Sequence, residues 1–385
     1  DYSRYFVASQ EYEPGDGWPY DSILQYLTTN PTIGPDALAA KIVDYYIGYY
    51  SGIEENATMA AINVSSFIMD TYARINRLVG YLLRYYTTYQ AAISYAISNA
   101  ETFYYEWQKD LKHFLILLRS SVSDSELITL INETIRFLNI SIISYEHLSL
   151  HPNAYGISAY FPEVIILNYE YLLSSEHHQW DEFIMKQTGN DVDLWFYDIT
   201  FVGSDSDNNG YFDSGVVYVD VDSDTTQTIY IKVYGSDGTV ETFMGKSATT
   251  TISGASSGDR ISINLEMPAT RGIYSLRFEV YNSLDNIVDR AYYYCDDNVS
   301  DIPLEYLAGY PSIEIVSPSP TSTIYGNIKV EVNATDNDGI SWVKISIENT
   351  WYDMSYNTTS GYYEYVWDTT YVDDGLTTIM VNASD

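Results

Sequence analysis

Tyr5-Phe-Val-Ala-Ser-Gln-Glu-Tyr-Glu-Pro-Gly-Asp-Gly-Trp18 joins a short apolar run of strand type to a turn-rich segment. The chain after it turns helical. Pro35-Asp36 opens a helix ending near Gly52, with Leu38, Ile42, Tyr45 and Tyr49 on one stripe. Ser65 to Arg84 carries Ile68, Tyr72, Ile75, Val79 and Leu82 at spacings of three and four, so that face packs on a core. Glu101 to Arg119 places Trp107, Leu111, Phe114 and Leu118 in register. The capping box Ser123-x-x-Glu126 introduces a helix over Asp124 to Asn139. Ile157 to Phe161 reads as a buried strand after the glycine turn at Gly156. Helices alternating with isolated strands imply the last part of an α/β sandwich.

Near Thr188 the pattern changes to short alternating runs: Leu194 to Phe201, Gly215 to Val221, Thr228 to Tyr234, Arg260 to Met267, Ser275 to Tyr281 and Ile287 to Tyr294. Spacings near ten residues, with Gly, Asp and Asn between, predict a β-sandwich over residues 187–308. Ile313 to Val316, Lys329 to Ala334, Trp342 to Ile347, Tyr362 to Trp367 and Leu376 to Ala383 predict a second, smaller sandwich over residues 309–385. The fold class is therefore multidomain, an α/β part over residues 1–186 followed by two all-β domains.

Of the 385 residues 53 are acidic and 18 basic, a formal charge of -35. Scattered cations in a field of this sign repel a polyanion, which excludes nucleic acid and an anionic membrane as partners. No apolar run reaches the ~18 to 20 residues that span a bilayer. No signal peptide stands at Asp1, so the chain reads as a mature or truncated stretch. A single cysteine, Cys295, excludes an internal disulfide framework and a Cys-based zinc cluster. Sequons at Asn56, Asn63, Asn132, Asn139, Asn298, Asn333, Asn357 and Asn382 favour an extracellular or cell-surface glycoprotein, and with the low Lys and Arg content an archaeal one.

The sharpest local motif is Asp205-Ser-Asp207-Asn-Asn209-Gly210-Tyr211-Phe-Asp213. Oxygen donors at positions one, three, five and nine, the Tyr211 carbonyl at seven and a glycine at six reproduce the front of a calcium loop of EF-hand type. Position twelve is Val216, so the bidentate Glu is absent, and Asp220, Asp222 or Asp224 is the expected replacement. A solvated Asp-Asn-Gly hairpin is the competing reading. The five histidines, His113, His147, His151, His177 and His178, have no nucleophile motif beside them. The 41 tyrosines, many in pairs, are chiefly half-buried helix and strand positions, with a carbohydrate- or partner-binding surface as the alternative.

Val7-Ala-Ser-Gln-Glu-x-Glu-Pro-Gly-Asp-Gly-Trp18 resembles clostripain-type cysteine peptidases just downstream of their catalytic cysteine. The similarity continues through Asn30-Pro-Thr, Ile42-Val-Asp-Tyr-Tyr46, Ala57-Thr-Met-Ala-Ala-Ile-Asn63, Gly156-Ile-Ser-Ala-Tyr-Phe-Pro162 and Trp180-Asp-Glu-Phe183, about 185 residues in all. The resemblance implies a partial caspase-like α/β sandwich and cleavage of a polypeptide after basic residues by a His and Cys dyad. Neither dyad motif is present, so an upstream peptidase segment is the implied partner and this chain alone is expected to be inactive. The loop after the cysteine strand would wall the specificity pocket, with Asp16 first, then Glu11 and Glu13, facing a guanidinium, and Ser9 and Trp18 lining it. Tyr325 to Asp336, Gly339 to Lys344 and Trp367 to Asp385 resemble the immunoglobulin-like modules of bacterial and archaeal surface proteins, with the last strand missing. The alternative function is a non-catalytic adhesion, filament or surface-layer protein that assembles with cell-surface partners or copies of itself.

Overall fold

The computed structural model describes residues 3–54, 56–164, 178–206, 208–256, 260–291, 300–304, 312–335, 340–348, 350–372, 375 and 377–384. The chain divides into two compact units, Asp1–Glu305 and Tyr306–Asp385. The composition change near Thr188 thus separates helix-rich from strand-rich chain inside one unit.

The first unit begins β1 (Tyr5–Ala8), α1 (Tyr20–Thr29), α2 (Pro35–Tyr50) and β2 (Thr58–Asn63). A short α3 (Val64–Ser66) runs through a π turn into α4 (Tyr72–Arg84), followed by α5 (Tyr86–Asn99), β3 (Gln108–Asp110), α6 (Leu111–Ser121), α7 (Ser125–Ser141), β4 (Ile142–His147), β5 (Ser158–Tyr160) and α8 (Trp180–Gln187). β2 lies between β1 and β4, antiparallel to both, with Ala8 opposite Ala60 and Thr58 opposite His147. α2 covers this sheet, packing Ala39, Val43, Tyr46, Ile47 and Tyr50 on Ala57, Met59 and Ala61. The expected stripe is therefore off by one residue: Leu38, Ile42 and Tyr45 are half-buried and Tyr49 is exposed. The paired tyrosines make two adjacent faces equally apolar, and the face carrying Ala39 is the one that fits a sheet of small side chains.

α4 buries Ile75, Val79 and Leu82 as expected, and its other faces too, in a core shared with Ile93, Phe114, Leu118, Leu127, Ile131 and Phe183. Two helix starts differ from expectation. Asp110 caps α6 by accepting from the His113 N–H, and the residues before it form β3, paired with β5. Trp107 is accordingly exposed on a turn. Asp124, rather than Ser123, caps α7, accepting from the N–H groups of Glu126 and Leu127.

The unit continues with β6 (Trp195–Ser204), β7 (Ser214–Ser236), β8 (Glu241–Lys246), β9 (Thr250–Gly254), β10 (Ile261–Asn264), β11 (Gly272–Asn282), β12 (Ile287–Ala291) and β13 (Ile302–Leu304). The two strands expected over Gly215 to Val221 and Thr228 to Tyr234 are one strand of 23 residues. Its first part pairs with β6 and β10, and its second with β8, β9 and β11. The pairing with β9 shifts register between Ser223 and Gln227, the kind of irregularity that bends a strand. Val217, Val219 and Val221 share a core with Ile229, Ile231, Val233, Leu276 and Phe278.

The second unit comprises β14 (Ser312–Ser317), β15 (Asn327–Thr335), β16 (Trp342–Ile347), β17 (Thr350–Asp353), β18 (Ser355–Asn357), β19 (Tyr362–Asp368) and β20 (Ile379–Ser384). Sheets β14-β15-β19-β18 and β17-β16-β20 enclose Val330, Val332, Val343, Ile345, Ile347 and Trp367, the sandwich that alternation predicts. Among the described residues no helix is long and apolar enough to cross a membrane.

Candidate functional site

β1 ends at Ala8, and the next three residues turn inward. The hydroxyls of Ser9 and Thr58 lie 3.0 Å apart, and the backbone N–H groups of Gln10 and Glu11 both donate to Thr58 Oγ1. Gln10 is buried and reads two partners: its Nε2 donates to Asp110 Oδ2 at 2.9 Å and its Oε1 accepts from the Gly156 N–H at 2.8 Å. Asp110 also accepts from the N–H groups of Tyr155 at 2.6 Å and His113 at 2.8 Å. Burial pushes its carboxyl up to about 6 against the pull of those donors. Gly156 has φ of 102°, and a Cβ there would stand 3.0 Å from Ala60 Cβ and 3.2 Å from Tyr145 Cβ, so the close approach requires glycine.

Glu11 is also buried. The His151 ring presents one nitrogen to Glu11 Oε2 and the other to Glu101 Oε1, each at 3.1 Å. Glu101 Oε2 accepts from the backbone and side chain of Asn153, and the Glu101 N–H donates to His113 Nδ1. Burial lowers the pKa of His113, which suits the neutral acceptor.

Beyond this clasp the chain rises to the surface. Glu13 accepts from Trp18 Nε1 at 3.0 Å, and Trp18 packs edge-on to Tyr46. Gly17, at φ of 72°, closes a turn on the Pro14 carbonyl, and Tyr50 Oη donates to the Gly17 carbonyl at 2.7 Å. Asp16 is exposed at the tip and makes no hydrogen bond or ion pair among the described residues. The five expected pocket residues therefore lie on one braced loop. Glu11 is held by His151, Glu13 by Trp18 and Ser9 by Thr58, which leaves Asp16 with an unengaged carboxylate. Sequence reasoning missed Gln10, Thr58, Glu101, Asp110 and His151. The Asp110-Leu-Lys-His113 spacing was a legible cap, whereas nothing local links residues 11, 101 and 151.

The 205–213 loop connects β6 to β7. Asp205 accepts from the N–H groups of Asn209 and Gly210, Asn209 Oδ1 from Tyr211, and Asp213 from Ser206. Asp207 lies outside the described residues, as do Cys295, Asn298 and His177. The expected twelfth-position replacement fails. Asp220 and Asp222 instead hold the Arg84 guanidinium, at 2.7 and 2.6 Å, and Asp224 pairs with Lys186. Arg84 also stacks 3.3 Å over the Tyr197 ring. Among the described residues no group of three His, Cys, Asp or Glu side chains is placed to hold a metal. Of the sequons, Asn132, Asn139 and Asn382 are exposed, and Asn56, Asn63, Asn333 and Asn357 are half-buried. Asn63 caps α3, and Asn357 donates to Glu364.

The sequence model of the bacterial Ig domain matches residues 311–381, within the second unit. No curated protein matches the chain significantly. The model of the clostripain family matches residues 1–198, slightly more than half of the chain, including the braced loop and its partners. The chain belongs to the clostripain family, as a cysteine-peptidase-like protein carrying a bacterial Ig domain.

Proposed function

We propose that this chain is part of an extracellular or cell-surface endopeptidase that cleaves polypeptides after basic residues, with a His and Cys dyad contributed from outside these 385 residues. The reading rests on Asp16, an unengaged carboxylate on a loop whose other acids are already held. A substrate guanidinium would pair with it bidentately. The buried bonds at Thr58, Gln10 and Glu11 keep the loop from collapsing onto that charge. The dyad thiolate would attack the carbonyl next to the bound basic residue, and the histidine would protonate the leaving amine. The test is Asp16→Asn in the complete protein, assayed on paired arginine and citrulline substrates. kcat/KM for arginine should fall about 100-fold, on the order of 3 kcal/mol, with citrulline unchanged. An unchanged arginine-to-citrulline ratio would remove Asp16 from the pocket.

The caspase-like arrangement is part of this proposal, supported by α2 packed on the β1-β2-β4 sheet. So is calcium at the 205–213 loop, supported by the spacing of Asp205, Asp207, Asn209, Tyr211 and Asp213. Exposure supports Asn132, Asn139 and Asn382 as the glycan acceptors on an exported chain.

A further inference from the structure

An unbroken run of exposed rings adjoins the Asp16 loop. Tyr12, the residue after Glu11, is 66% exposed, Tyr104 63%, Tyr105 43% and Trp107 40%. Tyr12 and Tyr104 lie 5.1 Å apart between ring centroids, Tyr104 meets Tyr105 edge-on at 4.9 Å, and Tyr105 stacks on Trp107 at 4.9 Å. Four large aromatic side chains in mutual contact and open to water are a costly surface to leave uncovered, and such patches mark binding sites.

The run joins two segments far apart in sequence, and the structure holds both in place from below. Glu11 and Glu101 grip His151 from opposite sides, and one residue beyond Glu11 is Tyr12. Phe103, beneath Tyr104, is buried against the His151 ring at 5.3 Å. The 104–107 turn is closed by the Gln108 N–H on the Tyr105 carbonyl and tied down by the Phe161 N–H on the Trp107 carbonyl at 2.8 Å. The rings are thus pre-positioned, which lowers the ordering cost of binding.

We propose that the Tyr12–Tyr104–Tyr105–Trp107 ladder is a second specificity subsite that takes an aromatic side chain of the substrate polypeptide, within a few residues of the basic residue held by Asp16. This rests on the peptidase reading above. The occupant follows from continuity: Tyr12 and Asp16 are both exposed on the same loop, four residues apart, so a polypeptide whose basic side chain reaches Asp16 would have its neighbouring residues within reach of Tyr12. Offset or edge-on ring contacts then discriminate an aromatic residue from glycine.

The probes are labelled heptapeptides containing one arginine and one tryptophan two residues apart, with glycine replacing the tryptophan or citrulline the arginine. Binding to the 385-residue chain is read by fluorescence anisotropy. The tryptophan peptide should bind about tenfold more tightly than its glycine counterpart. Tyr104→Ala and Trp107→Ala should each reduce that factor toward one while leaving the arginine-to-citrulline factor intact, and Asp16→Asn should do the reverse. These rings are exposed, so both alanine variants should melt with the wild type. Tryptophan and glycine peptides that bind alike or not at all, or a factor that survives both variants, overturn the subsite. A tryptophan factor without an arginine factor upholds the ladder and sinks the basic-residue reading instead.

Discussion

Asp110→Asn tests the buried junction that anchors the 9–18 loop through Gln10. The carboxylate is fully buried and accepts three hydrogen bonds, from Gln10 Nε2, the Tyr155 N–H and the His113 N–H. An amide can accept on one side only, so its NH2 group confronts a donor at the other, at about 1 to 3 kcal/mol per unpaired group. Against this, the wild-type carboxyl is pushed from 3.8 up to about 6 by burial, so ionising it in the fold opposes stability by about 3 kcal/mol. The folded state binds this proton more tightly than the unfolded state does. Its contribution is therefore complete below about pH 4 and lost as pH rises through about 6. The destabilisation caused by Asp110→Asn should accordingly be about 2.4 kcal/mol larger near pH 4 than near pH 7. Urea denaturation of both proteins at the two pH values measures the difference and cancels the remaining carboxylates. A gap that is flat with pH, or that widens as pH rises, would refute the assignment of the buried proton to Asp110.

Arg84→Ala leaves Asp220 and Asp222 buried without their cation and should cost about 3 to 5 kcal/mol by chemical denaturation; a loss below about 1 kcal/mol would mean the pair is solvated. Gly156→Ala should lower stability by about 1 to 3 kcal/mol, because the left-handed backbone and the contacts to Ala60 and Tyr145 both resist a Cβ. A melting temperature equal to wild type would count against the close approach. Calcium at 100 times its dissociation constant should stabilise the first unit by about 2.7 kcal/mol if the 205–213 loop takes it. No shift between calcium and chelator, or one that persists in Asp205→Asn, sinks that site.

Strand and helix positions were mostly legible because apolar periodicity is a local signal. Faces and partners were not. In α2 the bounds follow from Pro35 and the apolar run, but Tyr45-Tyr46 and Tyr49-Tyr50 cannot reveal which tyrosine of each pair is buried. β7 was divided because Ser223 to Gln227 looks like a polar turn, whereas the chain passes through it extended, with Asp222 and Asp224 each engaged by a cation from a helix. The 9–18 loop was visible by its resemblance, with Asp16 ranked ahead of Glu11 and Glu13, yet nothing local showed which of the three acids is held. Only partners 90 and 140 residues away in sequence, Glu101 and His151, separate the held Glu11 from the unengaged Asp16.

The Arg84 clamp bears on how such chains can be recombined. A cut that separates a buried charge from its partner leaves an uncompensated charge in the resulting chain. A crossover near residue 187 would keep Arg84 in one parent and bring Asp220 and Asp222 from another, so a chimera survives only if both parents carry the matching ions. Grafting experiments should therefore carry residues 1–305 together as one heritable block.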